Sequence, residues 1–335
     1  MRALSSLTFL FLCCCTAQST APQSLLVESD AYVIQGAATK DHLWVLTSDN
    51  IVLEYDRPSG DRRIIAEDGV YDIQHSNGRL LAMRKPAQAP ESFQLMDLTA
   101  SAALLAEFSL PSAPLLLNTG GETAVLSQET LLRFQDGEWH PIDLATPLRG
   151  WPGTNVLAGD GTIAYIGYNF GEWGGGLQGI EVATGRVFEV KGLARDLDPV
   201  TGIARDPSRP DCVIASVGLM HMIARGKILR VCGEEATVIF EEAVPPPTDP
   251  AVIALPHKWP FFDAVADDNY WSAVSFGILV SGNERVTIKA EIPDLAPWHG
   301  LDLAVVGTKL IVLSTEINRR HSLSGSTPLL VPVKD

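Results

Sequence analysis

Basic residues are the scarce charge: 25 Lys and Arg face 40 Asp and Glu, a formal net charge of −15. A chain this acidic repels phosphate backbones and anionic lipid, so no nucleic-acid role and no membrane-surface role is expected. No run of about 18 apolar residues occurs, which leaves no expected membrane span. No window of 12 residues sustains a helical period, so long amphipathic helices are not expected either. A G-x-S-x-G elbow is missing, and the glycine-rich stretch at 167–176 is followed by neither a helix nor a Lys; an α/β-hydrolase and a phosphate cradle are both set aside. Cysteine is sparse: five in all, three of them at 13–15, which leaves Cys212 and Cys232 for the rest of the chain.

Those first three cysteines close an N-terminal segment with its own logic. Arg2 precedes an apolar run from Leu7 to Cys15, and Ala17-Gln18-Ser19 places small residues three and one before a cut. We expect residues 1–19 to be a secretory signal cleaved before Thr20, and residues 20–335 to form a single domain in a secreted or periplasmic protein. The alternative is a lipoprotein, because Leu12-Cys13-Cys14-Cys15 followed by a polar linker resembles a lipobox with Cys15 as its lipidated residue. Without Arg2, 24 basic residues face 40 acidic ones, a charge of −16. In an oxidising compartment Cys212 and Cys232 are a disulfide candidate, the alternative being two buried thiols.

What the sequence has in quantity is turn chemistry, with 28 Gly and 22 Pro, and short runs rich in Val, Ile, Leu and aromatics. The runs recur in groups of four about every 40 residues, the period of propeller blades. The clearest group comprises NVLAG, the turn Asp160-Gly161, TIAYIGY, a loop, LQGIEV, the turn Ala183-Thr184-Gly185 and RVFEV. The same grammar fits 32–66, 71–109, 115–144, 201–241 and 262–292. The tail from Leu301 supplies three more runs, LDLAVV, LIVLST and PLLVPV. We therefore expect an all-β fold, a seven-bladed β-propeller closed by an N-terminal strand, residues 24–29, that completes the last blade. Such closure would remove an exposed strand edge.

Two motifs carry a resemblance. Gly202-Ile203-Ala204-Arg205-Asp206-Pro207 followed by CVIASV looks like the first-to-second-strand step of YVTN-type and gluconolactonase-like propellers. Tyr55-Asp56-Arg57-Pro58-Ser59-Gly60 and Ile180-Glu181-Val182-Ala183-Thr184-Gly185 look like the Asp-x-x-Thr-Gly turns of quinoprotein-like propellers. The Trp-Asp dipeptide of the commonest eukaryotic propellers is absent, and no regular tryptophan-docking repeat points to a quinone cofactor. The resemblance to gluconolactonase-like propellers implies a divalent cation, such as calcium, in the central channel.

The long connections, at 84–91, 145–153, 167–176, 192–199, 218–226, 243–260, 293–299 and 315–326, all belong to one face of such a ring, and the other face has short turns. Loops on a rigid scaffold are the usual carriers of function. The long ones hold Trp151, Trp173, Trp259 and Trp298 with His221, His257, His299 and His321, and Tyr168 lies beside them. We take Trp151, Tyr168, Trp173, His221, Trp259, Trp298 and His299 as candidate contacts for a small molecule, a glycan or a protein; the alternative is that the aromatics pin the loops down. Counting five residues back from each first hairpin turn aligns Asp72, Leu115, Asn155, Gly202, Asp263 and Asp302. Acidic groups brought together there would raise one another's pKa or recruit a cation, which makes Asp72, Asn155, Asp263 and Asp302 the metal candidates. Caps on the backbone of the adjacent blade are the alternative.

Three functions fit. The first is a binding propeller without chemistry, working through the long-loop face. The second is a metal-assisted hydrolase or lyase of the gluconolactonase-like or streptogramin-lyase-like kind, with Glu172, His221 or His299 as acid or base. The third is a scaffold subunit of an envelope complex.

Overall fold

In a computed structural model, the structure describes residues 33–332 except 90, 100–101, 118–122, 151–152, 196, 222, 244–257, 276–277, 292–298, 307–308, 318–322 and 327–328. The side chains of 155, 157, 220–221, 223 and everything from 288 onward also lie outside the description.

Each four-strand group folds as an antiparallel meander in chain order, because consecutive strands are joined by connections too short for a crossover. Six such sheets occupy residues 33–66, 70–109, 115–143, 154–189, 200–240 and 261–291, which we number blades 1 to 6. Their limits fall within one or two residues of those read from the sequence. The Asn77-Gly78 turn joins strands Val70–Ser76 and Arg79–Arg84 with φ of 50° and 73°, the left-handed pair that a two-residue hairpin requires.

The first strand of every blade lies nearest the axis, beside the first strands of its neighbours. Cores form between blades: Leu46 and Ile73 join blades 1 and 2, Met83 and Val125 join 2 and 3, and Leu126 and Ile166 join 3 and 4. Tyr165 and Leu229 meet between 4 and 5, and Ile228 and Trp271 between 5 and 6. Outermost strands such as Arg62–Ala66 and Ala103–Ser109 are largely exposed, as expected where no further sheet covers them.

The expectation of seven blades closed by an N-terminal strand is overturned. Six blades, not seven, carry the full meander. The remaining sheet, residues 299–332, is only three strands wide, because Leu323–Ser326 and Leu329–Pro332 share one edge of Lys309–Ile317 in place of standing side by side. Its first strand, His299–Val306, lies between the first strands of blades 6 and 1, so the contact that completes the ring is packing, and no hydrogen-bonded closure is present among the described residues. The proposed closing segment, 24–29, lies outside the described residues, as does the signal at 1–19.

Blade 5 has the longest hairpin, Cys212–His221 against Ile223–Cys232. Residues 218–221 and 223–226, expected as part of a loop, are instead paired strand, with Gly218 opposite Gly226 and Leu219 opposite Arg225. Cys212 is the direct partner of Cys232, with Cα atoms 4.4 Å apart, and the two form a disulfide. Among the described residues no helix is long and apolar enough to cross a membrane.

Candidate functional site

Two places collect the polar and aromatic residues that packing leaves over: the axial cavity and the face formed by the long connections.

The cavity, about 590 Å³, is lined by the first strands of the blades and includes Gln35, Asp72, His75, Thr201, Arg205 and Asp263. Asp72 is buried because it enters this strand just after a bulge that shifts the register between Val70 and Asp72. Its Oδ2 accepts the Leu116 backbone N–H of blade 3 at 2.6 Å. Burial pushes its carboxyl up to about 7, although the bonds from Leu116 and the Gln35 side chain pull the other way. Gln35 holds the same register position in blade 1, and its Oε1 accepts the Ile73 N–H at 3.0 Å. The polar residue of one blade thus caps the backbone of the next. Gln35 was findable by the same count of five, taken from Lys40. Asp263 also lines the cavity, and its Oδ1 accepts the Ala264 N–H at 2.7 Å. Asn155 pairs with Ile166 and Asp302 with Leu313, their side chains lying outside the description. Among the described residues no three His, Cys, Asp or Glu side chains gather as a metal ligand set. His75 stacks on Trp44 at 5.5 Å, and desolvation holds its imidazole below the ordinary range.

The long-loop face is built differently, and its best-defined part joins blades 4 and 5. Strand Ile163–Asn169 ends at Asn169, whose Oδ1 accepts the Gly171 N–H and starts a single 3-10 turn, Gly171–Trp173. Gly174 and Gly176 then take φ of 91° and 89°, a region costly for other residues. Gly175 is required for a second reason: a Cβ there would lie 1.9 Å from the Tyr168 carbonyl oxygen and 2.8 Å from Pro199 Cα. That close approach lets the loop at 192–199 lock on, the Arg195 and Asp198 carbonyls each accepting a backbone N–H, from Gly175 and Gly176, at 2.8 Å. Asp198 stiffens its own loop by accepting the Ala194 N–H at 2.7 Å and the Lys227 ammonium at 2.8 Å.

Beneath the turn, Tyr168 is fully buried and donates its hydroxyl to Gln178 Oε1 at 2.5 Å, with the Arg149 guanidinium 4.9 Å from its ring. Gln178 in turn donates to Glu189 at 2.9 Å. Tyr168, a candidate contact in the sequence, is therefore part of the support. What the support presents is Trp173, 78% exposed, with Phe170 at 41% and Leu197 at 50%. The other large exposed apolar side chains are scattered over five different strands. Phe170 stacks on Tyr168 at 5.9 Å, which ties it to the support.

The remaining candidates divide. Glu172 is exposed in the 3-10 turn. Trp259 is half-buried against the blade 5–6 core, its Nε1 buried without a hydrogen-bond partner among the described residues. His221 ends a strand of the blade 5 hairpin and His299 begins the last sheet, their side chains outside the description. Trp151, Trp298, His257 and His321 lie outside the described residues.

No protein-family model and no curated protein matches this sequence. Solved structures do. The β-propeller domain of Cps50 (Swd1) from Myceliophteria thermophila superposes with a TM-score of 0.53 at 13% identity, over 92% of this chain and 99% of that one. A chain of the Mitotic Checkpoint Complex gives 0.57 at 10% identity over 98% of both. The β-propeller domain of the Trilobed protease from Pyrococcus furiosus, described as having an open velcro topology, gives 0.51 at 10% identity, over 91% and 98%. At such identities the likeness shows the fold alone, a β-propeller, and selects none of the narrower kinships that the turn motifs suggested.

Proposed function

We propose that this chain is a binding propeller without chemistry of its own, which docks a partner protein on the long-loop face with Trp173 as the anchor. One observation carries the reading: the most exposed large apolar side chain among the described residues stands on a loop joined to its neighbour by two backbone hydrogen bonds. Tryptophan left in water keeps its apolar area unburied, and a pre-ordered loop spares a partner the entropy of fixing it. Tryptophans in such settings are enriched among the residues that dominate binding energy. A chain similar in fold belongs to a protein complex, the Mitotic Checkpoint Complex. We place the mature domain at 20–335 and outside the cytoplasm, a reading supported by the Cys212–Cys232 disulfide, since such bonds persist in oxidising compartments.

The catalytic rival draws less from the site. Asp72, the best-placed acid of the cavity, is engaged with the backbone of the next blade. Fold alone does not decide, because propellers host both roles.

The test selects random peptides displayed on phage against the immobilised chain and measures each selected peptide on the wild type and on Trp173→Ala. The expected result is a loss of affinity of tenfold or more on Trp173→Ala with an unchanged melting curve. Peptides that bind both proteins equally would place the docking surface elsewhere.

A further inference from the structure

The loops that present Trp173 and Leu197 also carry unbalanced charge. On this face Arg84 is held by Asp68 at 2.8 Å, Arg149 by Glu189 at 3.4 Å, Lys227 by Asp198 at 2.8 Å and Lys258 by Glu241 at 2.6 Å. Arg195 and Arg225 are exposed and, among the described residues, make no ion pair or side-chain hydrogen bond. Arg195 lies where the two loops are stitched together, its carbonyl receiving the Gly175 N–H. Arg225 stands opposite Leu219 near the tip of the blade 5 hairpin, whose first strand packs beside the Gly171–Trp173 turn.

Two neighbouring acids are already engaged, and Glu172 of the Gly171–Trp173 turn has a partner of its own. Asp198 is taken by Lys227 and the Ala194 N–H, and Glu189 by Gln178 and Arg149. In a chain of net charge −15, two guanidinium groups with no ion pair among the described residues stand on the loop and the hairpin that flank the turn carrying Trp173. A free arginine has five donors in a planar fork, a shape suited to carboxylates and able to hold them bidentately. The chain's overall field opposes an acidic partner at long range, but beyond about 8 Å that field is largely screened at physiological salt. At contact, the local pair decides.

We propose that the face between blades 4 and 5 docks an acidic peptide segment of a partner protein, with a large apolar side chain of the segment on Trp173 and Leu197 and its carboxylates on Arg195 and Arg225. This rests on the protein-binding reading above and adds the chemistry of the partner.

The probes are nine-residue phage-display peptides selected on the wild type, synthesised with a fluorescein label and titrated by fluorescence anisotropy. The selected peptides should carry excess Asp and Glu together with Trp, Phe or Leu. Their affinity should fall tenfold or more on the double variant Arg195→Glu, Arg225→Glu, whose exposed positions leave the melting curve in place. Exchanging the peptide's carboxylates for Lys should restore part of the loss on that variant. Peptides that depend on Trp173 but show no acidic excess, or that bind the double variant unchanged, overturn the acidic partner and leave the docking face standing. Peptides indifferent to Trp173 overturn both readings. So does an empty selection, and so does binding of a neutral oligosaccharide in its place.

Discussion

Arg230 is the side chain whose loss should cost the fold most for a single charge. It lies at the short-turn end of blade 5, where its Nε donates to Asp206 Oδ2 at 2.5 Å, with side-chain exposures of 7% and 0% for the two partners. Its Nη1 reaches the Glu284 carbonyl at 2.7 Å and its Nη2 the Asn283 carbonyl at 2.6 Å, so one guanidinium clasps blade 5 to the outer turn of blade 6. Asp206 is fixed in turn, its Oδ1 accepting the Ser208 N–H at 2.8 Å. Arg230→Met would leave Asp206 buried without its counter-charge, which by itself is worth about 3–5 kcal/mol of stability. The two carbonyls lose charge-assisted donors as well, although Asn283 keeps the Trp271 indole N–H at 2.9 Å. Removing both charges, as Arg230→Met with Asp206→Leu, takes away the orphaned anion and should recover a large part of the loss. Urea unfolding followed by tryptophan fluorescence reads both variants, since Trp271 is buried and bonded to the affected turn. A cost for Arg230→Met below about 1 kcal/mol, or a double variant as unstable as the sum of the singles, would refute the claim that the pair acts as one buried unit.

Three further outcomes are expected. Cys212→Ser with Cys232→Ser opens a link spanning 20 residues and should lower stability by about 3 kcal/mol in the chain-entropy model, read as an equal shift of the wild type on reduction. Asp72→Asn tests the buried carboxyl: a folded pKa near 7 against an ordinary 3.8 means that the native state holds its proton more tightly, so wild-type stability falls as pH rises from about 4 to 7 and then levels. The variant should lack that slope and gain at most about 4 kcal/mol over the wild type at pH 8, with the two converging near pH 4 in urea titrations; parallel curves would deny the shift. Gly175→Ala forces a Cβ against the Tyr168 carbonyl and should cost about 1–3 kcal/mol while lowering peptide affinity tenfold or more, as expected of Trp173→Ala; a variant that keeps full affinity would show that the two loops need not be locked.

The blades were legible because each obeys local rules that a sequence displays directly. Four short apolar runs with Asn77-Gly78 or Asp160-Gly161 between them leave little choice but a meander, and the candidate pair Cys212 and Cys232 is found on directly opposed strands. The last sheet was misread for a reason of the same kind. LDLAVV, LIVLST and PLLVPV have strand composition, and a ring with an open edge invites a closing strand, so counting by period favours seven. What counting does not show is that residues 323–326 and 329–332 lie along the same edge of their neighbour, a matter of register in a sheet with bulges. Likewise 218–226 contain two glycines and a methionine-histidine step that read as loop, yet residues 218–221 pair as strand with 223–226.

The surroundings of the candidate site residues were only partly legible, because sequence reports which residues reach a face and not which of them packing consumes. Tyr168 and Trp173 stand five residues apart in one glycine-rich stretch and looked equivalent. The structure separates them completely: a strand position puts the phenol of Tyr168 under the loop, where Gln178 and Arg149 use it, whereas the 3-10 turn begun by Asn169 lifts Trp173 into solvent. Asp72 drew attention as a metal candidate because acidic groups brought together at the axis recruit a cation; one of its oxygens accepts a backbone N–H of the adjacent blade, a bond that only partly offsets its burial. The free arginines escaped notice for the opposite reason. Arg195 and Arg225 are ordinary surface residues until one knows that Asp198 and Glu189 are already engaged, and that knowledge requires the register between three strands and two loops. The docking face proposed for this strongly acidic chain is therefore marked less by the residues it contains than by the charges its own fold leaves unanswered.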